Sequence, residues 1–150
     1  MNNLLSVVQI RAFVVGCLWL GRSRRLAEAL PPRYRHRKHQ AFIWTGWFLP
    51  IVNFWYPYLV VRDVHRATVG PAARGAGAWW AWFLTTDVVA VAIYVVVAGF
   101  ALSDSAQYAS YLPWLEAALA ALTAATGALW VRIVREVAAR QRARVAALAA

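Results

Sequence analysis

Three polar side chains stand inside runs that are otherwise apolar: Arg11 within residues 4–20, Asn53 within 41–61 and Asp87 within 78–102. An ionisable group in such a place is expensive to keep and is a functional hypothesis by default. Asp87 follows Thr85 and Thr86, and can be read as a proton or cation site or as a satisfied structural partner. One carboxylate without a second is a poor proton relay, so the structural reading is preferred. Arg11 precedes the end of its run, and Asp87 follows the start of its own, by the same nine residues. At 1.5 Å per residue both would lie about 13–14 Å from the basic ends of their helices. That match allows an Arg11–Asp87 ion pair.

Asn53 sits between Pro50 and Pro57. A proline cannot donate to the carbonyl four residues earlier, so in a helix Pro50 would free the carbonyl of Gly46 and Pro57 that of Asn53. Asn53 could coordinate a ligand or staple a bend, and the staple is preferred. Glu116, soon after Pro113, suits the positive end of a helix dipole. His36, His39 and His65 do not read as a metal site. The first two lie in a Lys/Arg run that repels cations, and no acid has ligand spacing to them. All three are expected to face solvent or lipid headgroups. Cys17 is the single cysteine, which excludes a disulfide framework and a cysteine-based metal site. Neither a metal nor a cofactor is expected.

The elements that must position these groups are four apolar segments: 4–20, 41–61, 78–102 and 113–131. The first has about 17 residues, the lower limit for a membrane span. It is not a signal peptide in form, because no basic residue precedes it and Arg22, Arg24 and Arg25 follow it. The second is long enough to cross but is punctuated by Gly46, Pro50, Asn53 and Pro57, spaced to share one helical face. The third is the strongest span. The fourth starts at Pro113, which suits a first turn, and continues as a basic helix over 132–150.

Composition agrees. The 150 residues are 62% hydrophobic and 15% charged, with a mean hydropathy of +0.50. A soluble domain averages about 45–50% and 25%, so lipid must cover part of this surface. The net charge of +10 would suggest nucleic acid in a soluble protein. Here the cations flank apolar runs and no groove-reading motif accompanies them, so no nucleic-acid partner is expected.

Charge also bears on topology. Residues 21–40 hold seven cations: Arg22, Arg24, Arg25, Arg33, Arg35, Arg37 and Lys38. Residues 62–77 hold three, the tail from 132 holds five, and 103–112 hold none. If all four segments cross, the cations divide seven against eight, and orientation has no preference. If 41–61 enters and leaves by one face, all fifteen lie on the cytoplasmic side. The second arrangement is preferred: an all-α integral membrane bundle, a single domain over 1–150, with three spans (4–20, 78–102, 113–131). A proline-broken re-entrant or interfacial segment at 41–61 completes it, with the N-terminus outside and the C-terminus cytoplasmic. Four spans, with a simple proline kink in the second, is the alternative.

The seven cations of 21–40 are expected to contact anionic lipid on the cytoplasmic face. Asp63 and Arg66 are expected to form a surface pair. Most of the nine Trp, among them Trp44, Trp47, Trp55, Trp79, Trp80 and Trp82, read as interfacial anchors. Ala117, Ala121 and Ala125, with Thr123 and Gly127 beside them, allow close helix approach, to a partner protein or a second copy through 113–131.

The stretch GWFLPIVNFWYPYLVVRDVHRAT, Gly46 to Thr68, resembles the actinobacterial membrane proteins grouped as domain of unknown function family 4328. Its carriers are Gly46, Trp47, Phe48, Pro50, Asn53 and Pro57, followed by Arg62, Asp63 and Arg66. The basic helix end Trp19 to Leu30, the Trp79, Trp80 and Trp82 group and the Arg/Ala-rich tail are similar too. The resemblance implies a multi-pass membrane protein and no particular reaction. Family members usually carry an earlier transmembrane helix, so it also implies a naturally short chain or a start codon assigned too far downstream. They commonly have Asn where Leu26 stands, so no polar role is expected there.

Three functional classes follow. A non-enzymatic accessory or scaffolding subunit is preferred, given the small size and the lack of a catalytic constellation. A lipid- or isoprenoid-handling protein or enzyme would use Asp87, Asn53 and an aromatic-lined pocket. A small channel or transporter would need inverted repeats or paired polar helices, which the sequence lacks.

Overall fold

A computed structural model describes residues 2–30, 42–45, 47, 52–102 and 110–149, and among them every regular element is helical. Helix α1 spans Asn2–Ala29, α2 Phe42–Thr45, α3 Tyr56–Val69, α4 Ala76–Leu102 and α5 Leu112–Ala149. A 3-10 turn, Val52–Phe54, precedes α3. The chain divides into two compact units, Met1–Ala76 with Val134–Ala150, and Gly77–Ile133.

In the first unit α1 runs nine residues past the apolar segment that suggested it. The basic stretch 21–40 is therefore helical as far as Ala29, in keeping with the family's basic helix end that Trp19 to Leu30 resembles. Cys17 and Leu20 at the end of the apolar run, and Ala27 and Leu30 past it, are buried at three- to seven-residue spacing. Packing against α3 overrides the charge of Arg22, Arg24 and Arg25 and carries the helix on. Helix α3 answers with Pro57, Val60, Val61, Val64, His65, Ala67 and Thr68, a wide inward face. Short α2 lies against both. Its Ile43 is 1% exposed, and the Cys17 thiol donates to the Ile43 carbonyl at 3.5 Å. Phe13 meets Trp44 and Trp47 edge-on at 6.3 and 5.9 Å between centroids.

Pro57 stands in the first turn of α3, where its missing N–H costs nothing. The chain breaks just before it, between the 3-10 turn and α3, so this part is not a continuous helix merely kinked at Pro57. The proline starts a helix. Gly46, Phe48 and Pro50 lie outside the described residues.

Gly70 ends α3 at φ 107°, its N–H bonded to the Arg66 carbonyl at 2.9 Å. Among the described residues, flanking neighbours aside, no atom lies within 4 Å of where a Cβ would stand, so substitution meets backbone strain. Gly70→Ala is expected to cost about 1 kcal/mol, read as a lower midpoint in thermal unfolding.

The second unit pairs α4 with the first part of α5. Pro113 is the second residue of α5, in its first turn as expected. Both helices are long and apolar enough to cross a membrane. No residue of the most apolar stretch of α4 is buried, and 6% of that of α5 is. A soluble core helix would hide this surface. Trp79 and Trp80 are not anchors: at 4% and 7% exposure they build an aromatic core with Phe83 and Trp130. Trp79 lies 5.0 Å from Trp130, and Trp80 stacks on Phe83 at 5.0 Å, spacings that favour aromatic pairs. Trp82 and Trp114 are exposed.

Candidate functional site

The densest polar construction in the described residues lies in the first unit, where the basic end of α1, the end of α3 and the tail of α5 meet. Val137 of α5 is 0% exposed and Gln141, one turn on, 7%. The Gln141 side-chain amide donates to the Ser23 carbonyl on α1 at 2.8 Å and to the Thr68 hydroxyl on α3 at 3.4 Å. One turn further, Arg144 donates through Nη2 to the Thr68 carbonyl at 2.7 Å and through Nη1 to the Ala67 carbonyl at 3.4 Å. These are carbonyls of the last turn of α3, which lack helical donors and carry the negative dipole end. A cation there satisfies both needs.

One turn before Gln141, Glu136 meets His65. Their Oε2–Nε2 distance is 2.9 Å, with His65 1% exposed and Glu136 39%. His65 is thus neither solvated nor at a headgroup. It lies on the inward face of α3, and its partner is 71 residues away, which local spacing could not reveal. The imidazole is buried, and the carboxylate is its partner at the half-exposed edge of the unit. Among the described residues no group of three or more His, Cys, Asp or Glu could hold a metal ion.

The residues singled out from sequence are placed as follows. Arg11 and Asp87 are exposed, each within its own unit. Thr86 donates to the Trp82 carbonyl and lies 3.0 Å from the Thr126 hydroxyl, so the threonine beside Asp87 joins α4 to α5. Asn53 is half-buried, and its Oδ1 has no hydrogen-bond partner among the described residues. Arg24 is 7% exposed and bonds Glu28 at 3.1 Å through Nε, so it belongs to the fold and not to a lipid-facing row. Arg22 and Arg25 are exposed, while Arg33, Arg35, Arg37, Lys38, His36 and His39 lie outside the described residues. Asp63 pairs with neighbouring Arg62, at 3.6 Å, in place of Arg66, which is exposed. The Arg62 guanidinium also lies 5.3 Å from the centre of the Tyr58 ring. Glu116 is exposed near the start of α5, and Leu26 is half-buried. A shallow apolar cleft of about 270 Å³ is lined by Val96, Val97, Phe100, Tyr111, Leu112 and Leu115; Asp87 and Asn53 are not among its walls.

Sequence reasoning passed over Ser23, Thr68, Glu136, Gln141 and Arg144. One signal was available: Glu136 is the only acid of the basic tail, and Gln141 its only uncharged polar side chain.

An all-helical protein with two helices long enough to span a bilayer is the class these features define. The family model described as Domain of unknown function (DUF4328) matches residues 2–139, and the chain belongs to that family. Comparison with curated proteins and with solved structures finds no match.

Proposed function

We propose that this is a three-span membrane protein acting as a non-enzymatic accessory or scaffolding subunit. Its spans are 4–20, 78–102 and 113–131, and 41–61 enters and leaves by the cytoplasmic face. The observation that carries the topology is the Gln141 side chain, which bonds α1 at Ser23 and α3 at Thr68. That three chain segments meet at one amide supports a common depth for them. It favours placing the basic regions after α1, around α3 and in the tail on one side, as the positive-inside rule does. Val14, Val15 and Leu18 of α1 and Val88, Val91 and Val95 of α4 are exposed, which supports lipid around both helices. Arg22 and Arg25, exposed at the inner end of α1, are suited to anionic headgroups. The subunit role draws on the closed polar construction, which ties helices together and buries its imidazole.

The test is cysteine accessibility in a Cys17→Ala background, with single cysteines at Ala72, Gln107 and Val145. Ala72 and Val145 are expected to label only after the cytoplasmic face is opened, and Gln107 from outside. Labelling of Ala72 from outside would establish four spans instead. For the subunit role, mild-detergent isolation is expected to retain a stoichiometric protein partner.

A further inference from the structure

The charges of the first unit do not balance. Its three acidic side chains are all engaged: Glu28 with Arg24, Asp63 with Arg62 and Glu136 with His65. Five exposed arginines stand within two residues of the junction where Gln141 meets Ser23 and Thr68. They are Arg22 and Arg25 on α1, Arg66 on α3, and Arg140 and Arg142 on α5, and none has an ion-pair partner among the described residues. Each is about 3 Å of helical rise or less from a junction residue. Helical angle turns them outward. Arg22 stands about 200° round α1 from buried Leu20 and Arg24, and Arg25 the same from Ser23 and Ala27. On α3, Arg66 is likewise opposed to Val64 and Thr68, and on α5 Arg140 and Arg142 diverge to either side of Gln141.

We infer that these five arginines form a collar that seats the first unit in a layer of anionic lipid headgroups, so that Arg66, Arg140 and Arg142 belong to the bilayer surface along with Arg22 and Arg25. The inference rests on the topology proposed above. Guanidiniums that point away from one junction on three helices cannot close on one small phosphate compound or on one face of a soluble protein. A headgroup layer surrounds all three helices at once. The outward face of α1 supplies a second argument. Val7, Val14 and Leu18 are exposed and, interrupted only by Arg11, continue at intervals of three and four into Arg22 and Arg25. A stripe that is apolar and then basic matches acyl chains followed by phosphates, which long arginine stems can reach. A soluble partner would match only its basic end. The Gln141 bonds to Ser23 and Thr68 hold the arginines of α3 and α5 near the same level. Near an anionic surface each cation strengthens the attraction about fivefold, and salt weakens it.

The test uses the full-length chain in phosphatidylcholine bilayers with a trace of spin-labelled phosphatidylglycerol or spin-labelled phosphatidylcholine. The ratio of their motionally restricted fractions reads the preference for the anionic lipid. Wild type is expected to favour phosphatidylglycerol severalfold, and less so at about 1 M salt. In R66Q/R140Q/R142Q the preference should fall about twofold or more. In R66K/R140K/R142K, which keeps the charges, it should stay near wild type. Helical circular dichroism and a monodisperse elution profile establish that both variants are folded. A wild-type preference in the glutamine variant overturns the inference. An equal loss in the lysine variant overturns it too, because a collar of this kind needs charge and not guanidinium geometry. Ala72 labelling reads the topology separately, so an unchanged preference in the glutamine variant with a cytoplasmic Ala72 rejects only the collar.

Discussion

Val137→Asp is expected to lower stability by about 4 kcal/mol or more and to release the α5 tail from the first unit. Val137 is wholly buried, and its neighbour one turn on is the Gln141 that joins α1 to α3. A carboxylate at that position must either stay charged without water or take up a proton. Either state displaces α5 from α1 and α3 and breaks the Gln141 and Arg144 bonds together. Limited proteolysis in detergent is the direct measurement, with new cleavage expected among Arg140, Arg142 and Arg144. Ala139→Asp, on the exposed face of the same turn, should leave cleavage and thermal midpoint near wild type.

The second large effect is an asymmetry. Glu136→Leu strands the buried His65 nitrogen without a partner, which costs about 1–3 kcal/mol. His65→Leu removes the buried polar group itself and leaves a carboxylate that is 39% exposed and can turn to water. It should therefore cost less, although it breaks the same 2.9 Å contact. Comparing the two thermal midpoints in one detergent decides the matter. Equal losses would mean that the pair contributes through its attraction, and not through satisfaction of His65.

Much of the fold was legible because lipid-length helices announce themselves by unbroken apolar runs, as at α4 and the first half of α5. The end of α1 was legible only through the family resemblance, because three arginines in four residues interrupt the apolar run. The three- to seven-residue recurrence of Leu20, Ala27 and Leu30 was the better guide. At α3, the run 41–61 hid a boundary. Pro57 was weighed as a breaker, while Val60, Val61, Val64 and Thr68 continued past the apolar run with helical period. The polar construction was least legible. Its bonds link residues 71 to 118 positions apart, and no local pattern encodes such meetings. Arg11, Asn53 and Asp87 were conspicuous because their surroundings are apolar, whereas Gln141 was hidden among arginines and alanines.

The 118-residue separation between Ser23 and Gln141 has a consequence for biosynthesis. At about 5–20 residues per second, the ribosome needs roughly 6–24 s to deliver the amide that the α1 carbonyl will meet. During that interval the end of α3 is made but not yet capped by Arg144, and His65 awaits Glu136. Completion of the first unit thus waits for the α5 tail, long after α1 and α3 have been made. A nascent chain stalled before residue 136 would present an unfinished helix end and an unpartnered imidazole to quality-control proteases.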